Sequence, residues 1–353
     1  MSNDSRTFQN RHFEVYAWSV LAYNILVILW GAVVRATGSG AGCGEHWPLC
    51  QGVMIPHATQ IATLIEFAHR ATSGVAAVLV LGLVFLGFRR FSSGHPVRRY
   101  AASAVFFTLT EGLLGAALVL FGQGGNNASM TRVFILSLHL VNTLLLIASL
   151  ALSAKAASAS APGQAVGTQA PDHDQIHATK LYVWHMTGLL GVLVVAVTGA
   201  IAALGDTVFH ATSLIQGLDW DFSGSSNALL RLRILHPAIA VAVGIFLMML
   251  ALRALSSETS AAARRLAKYL LALILLQFAF GLINVLLLAP VWMQVLHLLT
   301  ADLVWITLVL LSTEMLGSQH GAAAEGPKEG RFEGWWSGKK RLAKELYRIT
   351  PSS

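Results

Sequence analysis

Eight apolar stretches of roughly 20 residues, the length an α-helix needs to cross about 30 Å of hydrocarbon, recur along this 353-residue chain. They lie near 14–36, 61–88, 100–121, 132–154, 180–204, 229–252, 267–288 and 292–315. A backbone in hydrocarbon must satisfy its N–H and C=O groups within its own segment, so each stretch is expected to be a transmembrane helix. Composition agrees: with 55% hydrophobic and 12% charged residues, and a mean hydropathy of +0.63, the chain is too apolar for a soluble domain. The first stretch runs into a polar, glycine-rich motif and not into a small-residue cleavage site, so it does not read as a cleavable signal. The expected fold class is all-α integral membrane, with eight transmembrane helices.

Lys and Arg between the stretches set an orientation. Arg89, Arg90, Arg98 and Arg99 follow the second, and Arg253, Arg264, Arg265 and Lys268 follow the sixth. Lys328, Arg331, Lys339, Lys340, Arg341, Lys344 and Arg348 fall in the C-terminal tail. The positive-inside rule assigns these to the cytoplasm with the N-terminus and its Arg6 and Arg11, so both termini are expected there. The connections at about 37–60, 122–131 and 205–228 are poor in Lys and Arg and are expected outside. The net charge of +7 then reads as topology plus attraction to an anionic lipid bilayer, with no nucleic-acid partner. Gly334-Trp335-Trp336, followed by basic residues, reads as an interfacial anchor. No long transit peptide is seen, so a bacterial plasma membrane is the expected location.

The two halves of the chain resemble each other. Gly31-Ala32-Val33 recurs as Gly199-Ala200-Ile201, and Leu138-His139-Leu140 as Leu296-His297-Leu298. Glu111-Gly112-Leu113-Leu114-Gly115 has a weaker echo in Gln277-Phe278-Ala279-Phe280-Gly281, and His69 and His236 stand at corresponding places in the second and sixth stretches. Both halves keep the same orientation, so the expectation is a parallel internal repeat of two tandem four-helix bundles. Such bundles hold cofactors between facing helices. The expected divisions are an N-terminal bundle at 1–154, a flexible Ala/Ser/Gly/Gln-rich cytoplasmic linker at 155–179, a C-terminal bundle at 180–315 and a basic tail at 316–353.

Four histidines, His69, His139, His236 and His297, fall two in each half, about six to eight residues from the outer end of their stretches. At 1.5 Å per residue that is roughly 9–12 Å below the outer boundary. A histidine in a bilayer core costs free energy unless paired or ligated. One alone would suit a hydrogen-bonded packing role; four at repeated positions point to axial ligation of two haems, His69 with His139 and His236 with His297. His12, His95, His173, His177 and His320 fall in polar connections or tails, and His46, His57 and His210 in outer loops.

Charge placement fits that reading. Arg35, Arg70, Arg132, Arg231 and Arg233 lie at or just below the outer boundary, where the positive-inside rule disfavours them. They could bind outward-pointing haem propionates in bidentate fashion. Snorkelling to headgroups, or pairing with Asp206, Asp219 or Asp221, is the alternative. Glu111, deep in the third stretch, suits structural hydrogen bonding. The only two cysteines, Cys43 and Cys50, share one outward loop, where thiols oxidise, so a disulfide is expected. Either a structural staple over the first bundle or a redox role would use it.

The densest signal follows the first stretch: Val34-Arg35-Ala36-Thr37-Gly38-Ser39-Gly40, then Cys43, then Trp47-Pro48-Leu49-Cys50, with Glu66-Phe67-Ala68-His69-Arg70 in the second stretch. These runs resemble the haem A synthase family, and the likeness spans all eight stretches and the four histidines. A second cysteine pair, which some members carry between the fifth and sixth helices, is absent here. The resemblance implies oxidation of the C8 methyl of haem O to a formyl group by successive hydroxylations. It places substrate haem iron at His69 and His139 and a haem B cofactor at His236 and His297, with Glu66 as the catalytic carboxyl. An ion pair of Glu66 with Arg70 or Arg35 is the competing role. Haem O and molecular oxygen would be the reactants, haem O synthase a candidate partner, and the electron donor is not identified by the sequence.

Two other classes compete. A bis-haem membrane cytochrome relaying electrons from quinol would use the four histidines, but leaves Glu66 and the motif loop without a role. A transporter would suit an internal repeat, but no broken-helix site is evident.

Overall fold

The computed structural model describes residues 3–57, 60–125, 127–158, 172–223, 227–257 and 259–322. The tail at 323–353, with Trp335 and Trp336, and linker residues 159–171 lie outside the described residues, as do the side chains of Arg6, His173, His177 and His320. The described residues form ten helices: α1 Asn3–Ala36, α2 Ile61–Arg90, α3 Pro96–Leu120, α4 Met130–Ser158, α5 Asp172–Val208, α6 Leu214–Phe222, α7 Ala228–Arg233, α8 Leu235–Ser256, α9 Ala261–Leu286 and α10 Val291–Ala322. Eight spans within them are long and apolar enough to cross a membrane, making this an all-α, multi-pass membrane protein. Helix runs into both ends of the expected linker, through Ser158 and from Asp172.

One expected span is broken. Leu229–Ser256 is continuous in hydropathy, but α7 ends at Arg233 and α8 begins at Leu235. Pro237 has no N–H to offer the carbonyl of residue 233, which explains an interruption there. His236 follows immediately. A further helix, α6, lies in the connection expected to be irregular; Ser213 caps it by accepting from the Gln216 N–H at 3.2 Å.

Packing sorts the helices into centre and edge. Half of the most apolar window of α4 and of α10 is buried, against 11% for α3 and for α9. In the first half α1 touches α2 and α4, and α3 joins α2 to α4; in the second α5 touches α8 and α10, and α9 joins α8 to α10. Helices α1, α4, α5 and α10 form the seam between these sets. Its apolar core includes Leu144, Ile147, Trp305, Ile306 and Val309, with Leu189 and Val192 packed against it. Polar contacts fasten the seam: the Trp305 indole donates to the Leu144 carbonyl at 2.7 Å and Lys155 pairs with Glu314 at 2.8 Å, while within the second set His185 of α5 meets Ser312 of α10 at 2.9 Å. Much of the remaining apolar surface is exposed, including Leu109, Leu113, Val241 and Leu282, as lipid-facing helices require.

Candidate functional site

Helices α2, α4 and α10 and the α7–α8 span start from the end that carries the disulfide loop. Their histidines, His69, His139, His297 and His236, sit six to nine residues into those spans, roughly 9–14 Å deep. His69 and His139 lie close enough to act on each other electrostatically, as do His297 and His236. The structure therefore brings together the pairs expected from the repeat, each across opposite corners of a four-helix ring.

Glycines let helices approach three of the rings. A Cβ on Gly31 of α1 would lie 3.0 Å from His69 Cε1, one on Gly199 of α5 3.0 Å from His236 Cε1, and one on Gly281 of α9 3.3 Å from His297 Cε1. The nitrogens are under-satisfied. Nδ1 of His69, His139 and His297 is buried without a hydrogen-bond partner. His236 Nδ1 meets the Thr198 hydroxyl at 3.2 Å, and His297 Nε2 lies 3.3 Å from the Gln277 amide nitrogen. Glu111 Oε1 stands 3.4 Å from His139 Nδ1. Paired imidazoles with orphaned nitrogens, three of them held against glycine, fit axial ligation of a planar macrocycle between helices.

The loop before α2 forms a clamp over the first half. Cys43 and Cys50 are joined by a disulfide, and both are buried. The Cys43 N–H donates to Glu66 Oε2 at 2.8 Å, while Arg70 pairs with Glu66 Oε1 at 2.5 Å. Arg70 also donates to the carbonyls of His46 and Leu49 at 2.5 and 2.6 Å. The Thr63 hydroxyl donates to the Gly42 carbonyl at 2.8 Å. Gly42 must be glycine for this approach, because a Cβ there would meet the backbone of Ala62. Glu66 is thus one turn from His69, 4% exposed, and in the Arg70 ion pair that was the competing expectation.

The other arginines are used unequally. Arg233 pairs with Asp221 at 2.5 Å and Asp206 at 3.1 Å. Arg35 donates to the Ala203 carbonyl, the Thr207 hydroxyl and the Gln294 side chain at 2.8–2.9 Å, tying α1 to α5 and α10. Arg132 donates through Nη1 to the Gly125 and Asn127 carbonyls, yet its buried Nε has no partner. Arg231 is exposed. Two intramembrane groups escaped the sequence reading: His185, and Asp302 of α10, which is 0% exposed with neither carboxyl oxygen hydrogen-bonded. An ionisable residue inside an apolar span is itself the signal that could have found them. A cavity of about 420 Å³, lined by Arg264, Arg265, Lys268 and Tyr269, opens at the far end of α9 from Gly281 and serves no part of this site.

Comparison with known proteins bears on this arrangement. The model of the COX15-CtaA family, described as cytochrome oxidase assembly protein, matches residues 14–309. A Thermus thermophilus protein named protoheme IX farnesyltransferase is 47% identical over 301 residues, covering 85% of this chain and 48% of the relative. A Lysinibacillus sphaericus protein named heme A synthase is 31% identical over 214 residues, covering 60% of this chain and 63% of the relative. One of the same name from Halalkalibacterium halodurans is 35% identical over 142 residues, covering 40% of this chain and 47% of the relative. The chain spans about half the length of the Thermus relative.

Proposed function

Membership of the COX15-CtaA family of cytochrome oxidase assembly proteins, to which this chain belongs, is the premise from which we propose a membrane oxidoreductase that converts haem O to haem A. The proposed reaction oxidises the C8 methyl of the substrate to a formyl group by successive hydroxylations, with molecular oxygen as co-reactant and an external reductant supplying the two electrons that each hydroxylation consumes. The observation that carries this reading is the pair of histidines built at one depth in each half, three of the four with an orphaned Nδ1 and three with a glycine against the ring. Family membership supports this chemistry, and the histidines are the groups proposed to carry it.

In this reading residues 1–154 hold the substrate through His69 and His139, and 180–315 hold a resident haem B through His236 and His297. A haem B in the second half supplies one-electron redox chemistry when bound. The protein's own contribution is orientation and exclusion of water. His69 and His139 fix the substrate's iron, and hence the position of its ring edge. Glu66, held by Arg70 and the Cys43 N–H, keeps a carboxyl one turn above His69, where it can accept a hydrogen bond from a hydroxylated substrate or take its proton. The disulfide loop covers that carboxyl. Arg132, with its unpartnered Nε, and exposed Arg231 are the arginines readiest to receive propionates. Arg35, Arg70 and Arg233 would have to share theirs with protein partners. The location is proposed to be a bacterial plasma membrane with both termini cytoplasmic, residues 155–179 linking the halves and 316–353 forming a basic tail.

The experiment uses full-length protein from cells that make no haem O. Replacing His236 or His297 with Ala should abolish or alter the low-spin haem signal, and replacing His69 or His139 should leave it in place. Loss of that signal from the His69 or His139 variants, with the other two unaffected, would overturn the assignment of halves.

A further inference from the structure

The two halves surround their α4 and α10 histidines differently. Glu111 of α3 turns toward α4, with Oε1 3.4 Å from His139 Nδ1. Its Oε2 accepts from the Asn142 amide at 2.5 Å, and Oε1 also meets the Thr143 hydroxyl. Asn142 is itself fixed, accepting from the Thr110 hydroxyl at 2.6 Å and donating to the Phe107 carbonyl at 2.8 Å. The carboxylate is therefore set in place by two neighbours on α4, at ion-pair distance from His139 Nδ1, which makes no hydrogen bond.

In the second half the neutral amide of Gln277 stands beside His297 instead, 3.3 Å from the ring. The supporting side chains are gone as well. Asn142 and Thr143 lie three and four residues after His139, and the residues three and four after His297 are Thr300 and Ala301. Thr110 precedes Glu111, whereas Leu276 precedes Gln277. One histidine in each ring therefore faces a side chain of the same length on the neighbouring helix, anionic in one half and neutral in the other.

We propose that Glu111 is a positioning residue that makes His139 the more electron-rich ligand and so poises an iron held there at a lower reduction potential than one held by His297. The inference rests on the haem reading above. A carboxylate accepting the Nδ1–H of a ligating imidazole fixes its tautomer, leaves Nε2 for the metal and raises ligand basicity. A more basic ligand favours the oxidised iron, and low dielectric magnifies the effect. Gln277 brings no charge, and its amide nitrogen lies against His297 Nε2, leaving Nδ1 without an acceptor. Through this one difference the half proposed to oxidise substrate is biased toward oxidised iron, while the half beside Gln277 is left as the better electron holder.

The test is a redox titration followed by absorbance, with electron paramagnetic resonance of the oxidised sample, on full-length protein produced with haem O supplied. The component that disappears in His139→Ala identifies the first-half iron. Glu111→Gln should raise the midpoint potential of that component and change its resonance, leaving the other unmoved. The reciprocal Gln277→Glu should lower the midpoint of the second component alone. A carboxyl that only ties α3 to α4 would leave both potentials where they are. Glu111→Gln protein that keeps the first-half haem at an unchanged potential overturns the proposal. Where Glu111→Gln fails to hold haem, Glu111→Asp should restore both the haem and the low potential, and restoration at the second component's potential counts against it. A His139→Ala variant that removes no haem component sinks the haem reading itself, an outcome distinct from failure of the Glu111 role.

Discussion

Arg70→Ala should loosen the disulfide loop by an amount the structure allows to be worked out. Arg70 is the ion partner of Glu66 at 2.5 Å and donates to two loop carbonyls, those of His46 and Leu49. Without it Glu66, buried in the fold, keeps only the Cys43 N–H among these contacts. Removing one partner of a buried ion pair costs about 3–5 kcal/mol. The Arg70 side chain retains 13% exposure, which argues for the lower end, about 3 kcal/mol. The loop is what gives way, because its carbonyls are released with the charge. Cys43 and Cys50 are 0% and 1% exposed, so a reductant reaches the sulfurs only when the loop opens, and the reduction rate follows the open fraction. About 3 kcal/mol corresponds to a roughly 100-fold faster reduction. Thiol alkylation over time, at a fixed low concentration of reductant, measures this in isolated membranes. Arg70→Lys should fall between, since one ammonium cannot reproduce the fork that serves a carboxylate and two carbonyls. A rate within about threefold of the parent, under ~1 kcal/mol of opening, would refute the clamp.

Two further outcomes follow from buried carboxyls. Glu66→Gln keeps size and one acceptor, so haem should stay bound while conversion to haem A falls and hydroxylated haem accumulates, as read by mass analysis of extracted haems; full conversion would reduce Glu66 to a partner of Arg70. Asp302→Leu removes a carboxyl with no hydrogen-bond partner from a fully buried position, and should stabilise the fold by about 1–3 kcal/mol, seen as a higher thermal midpoint in detergent; a lower midpoint would show that Asp302 is satisfied in a way its surroundings do not reveal.

The spans were legible because hydrocarbon thickness imposes a length that composition alone reports. The repeat made His69, His139, His236 and His297 legible as a set, since a shared depth survives where long-range contacts cannot be read. The Glu66–Arg70 pair was foreseeable at four-residue helical spacing. Arg35 was not, because its partners Ala203, Thr207 and Gln294 lie 168 to 259 residues away and only packing across the seam chooses them. Helix α6 is too short for a span and was passed over, although Ser213 and Gln216 carry the spacing of a helix-start signal. The sixth stretch was expected to be unbroken, and the break before α8, beside Pro237 and His236, came into view only with the fold. The contrast between Glu111 and Gln277 was visible as letters, but which histidine each faces required the fold.

The most direct test of the account is the fate of haem O. Full-length protein, expressed with a haem O supply and air, should yield haem A on extraction and mass analysis, and the His139→Ala protein should return haem O. Haem O recovered unchanged from parent protein loaded with haem would contradict the proposed oxidation, and farnesylation of protoheme IX would place the chain with the activity in its Thermus relative's name instead.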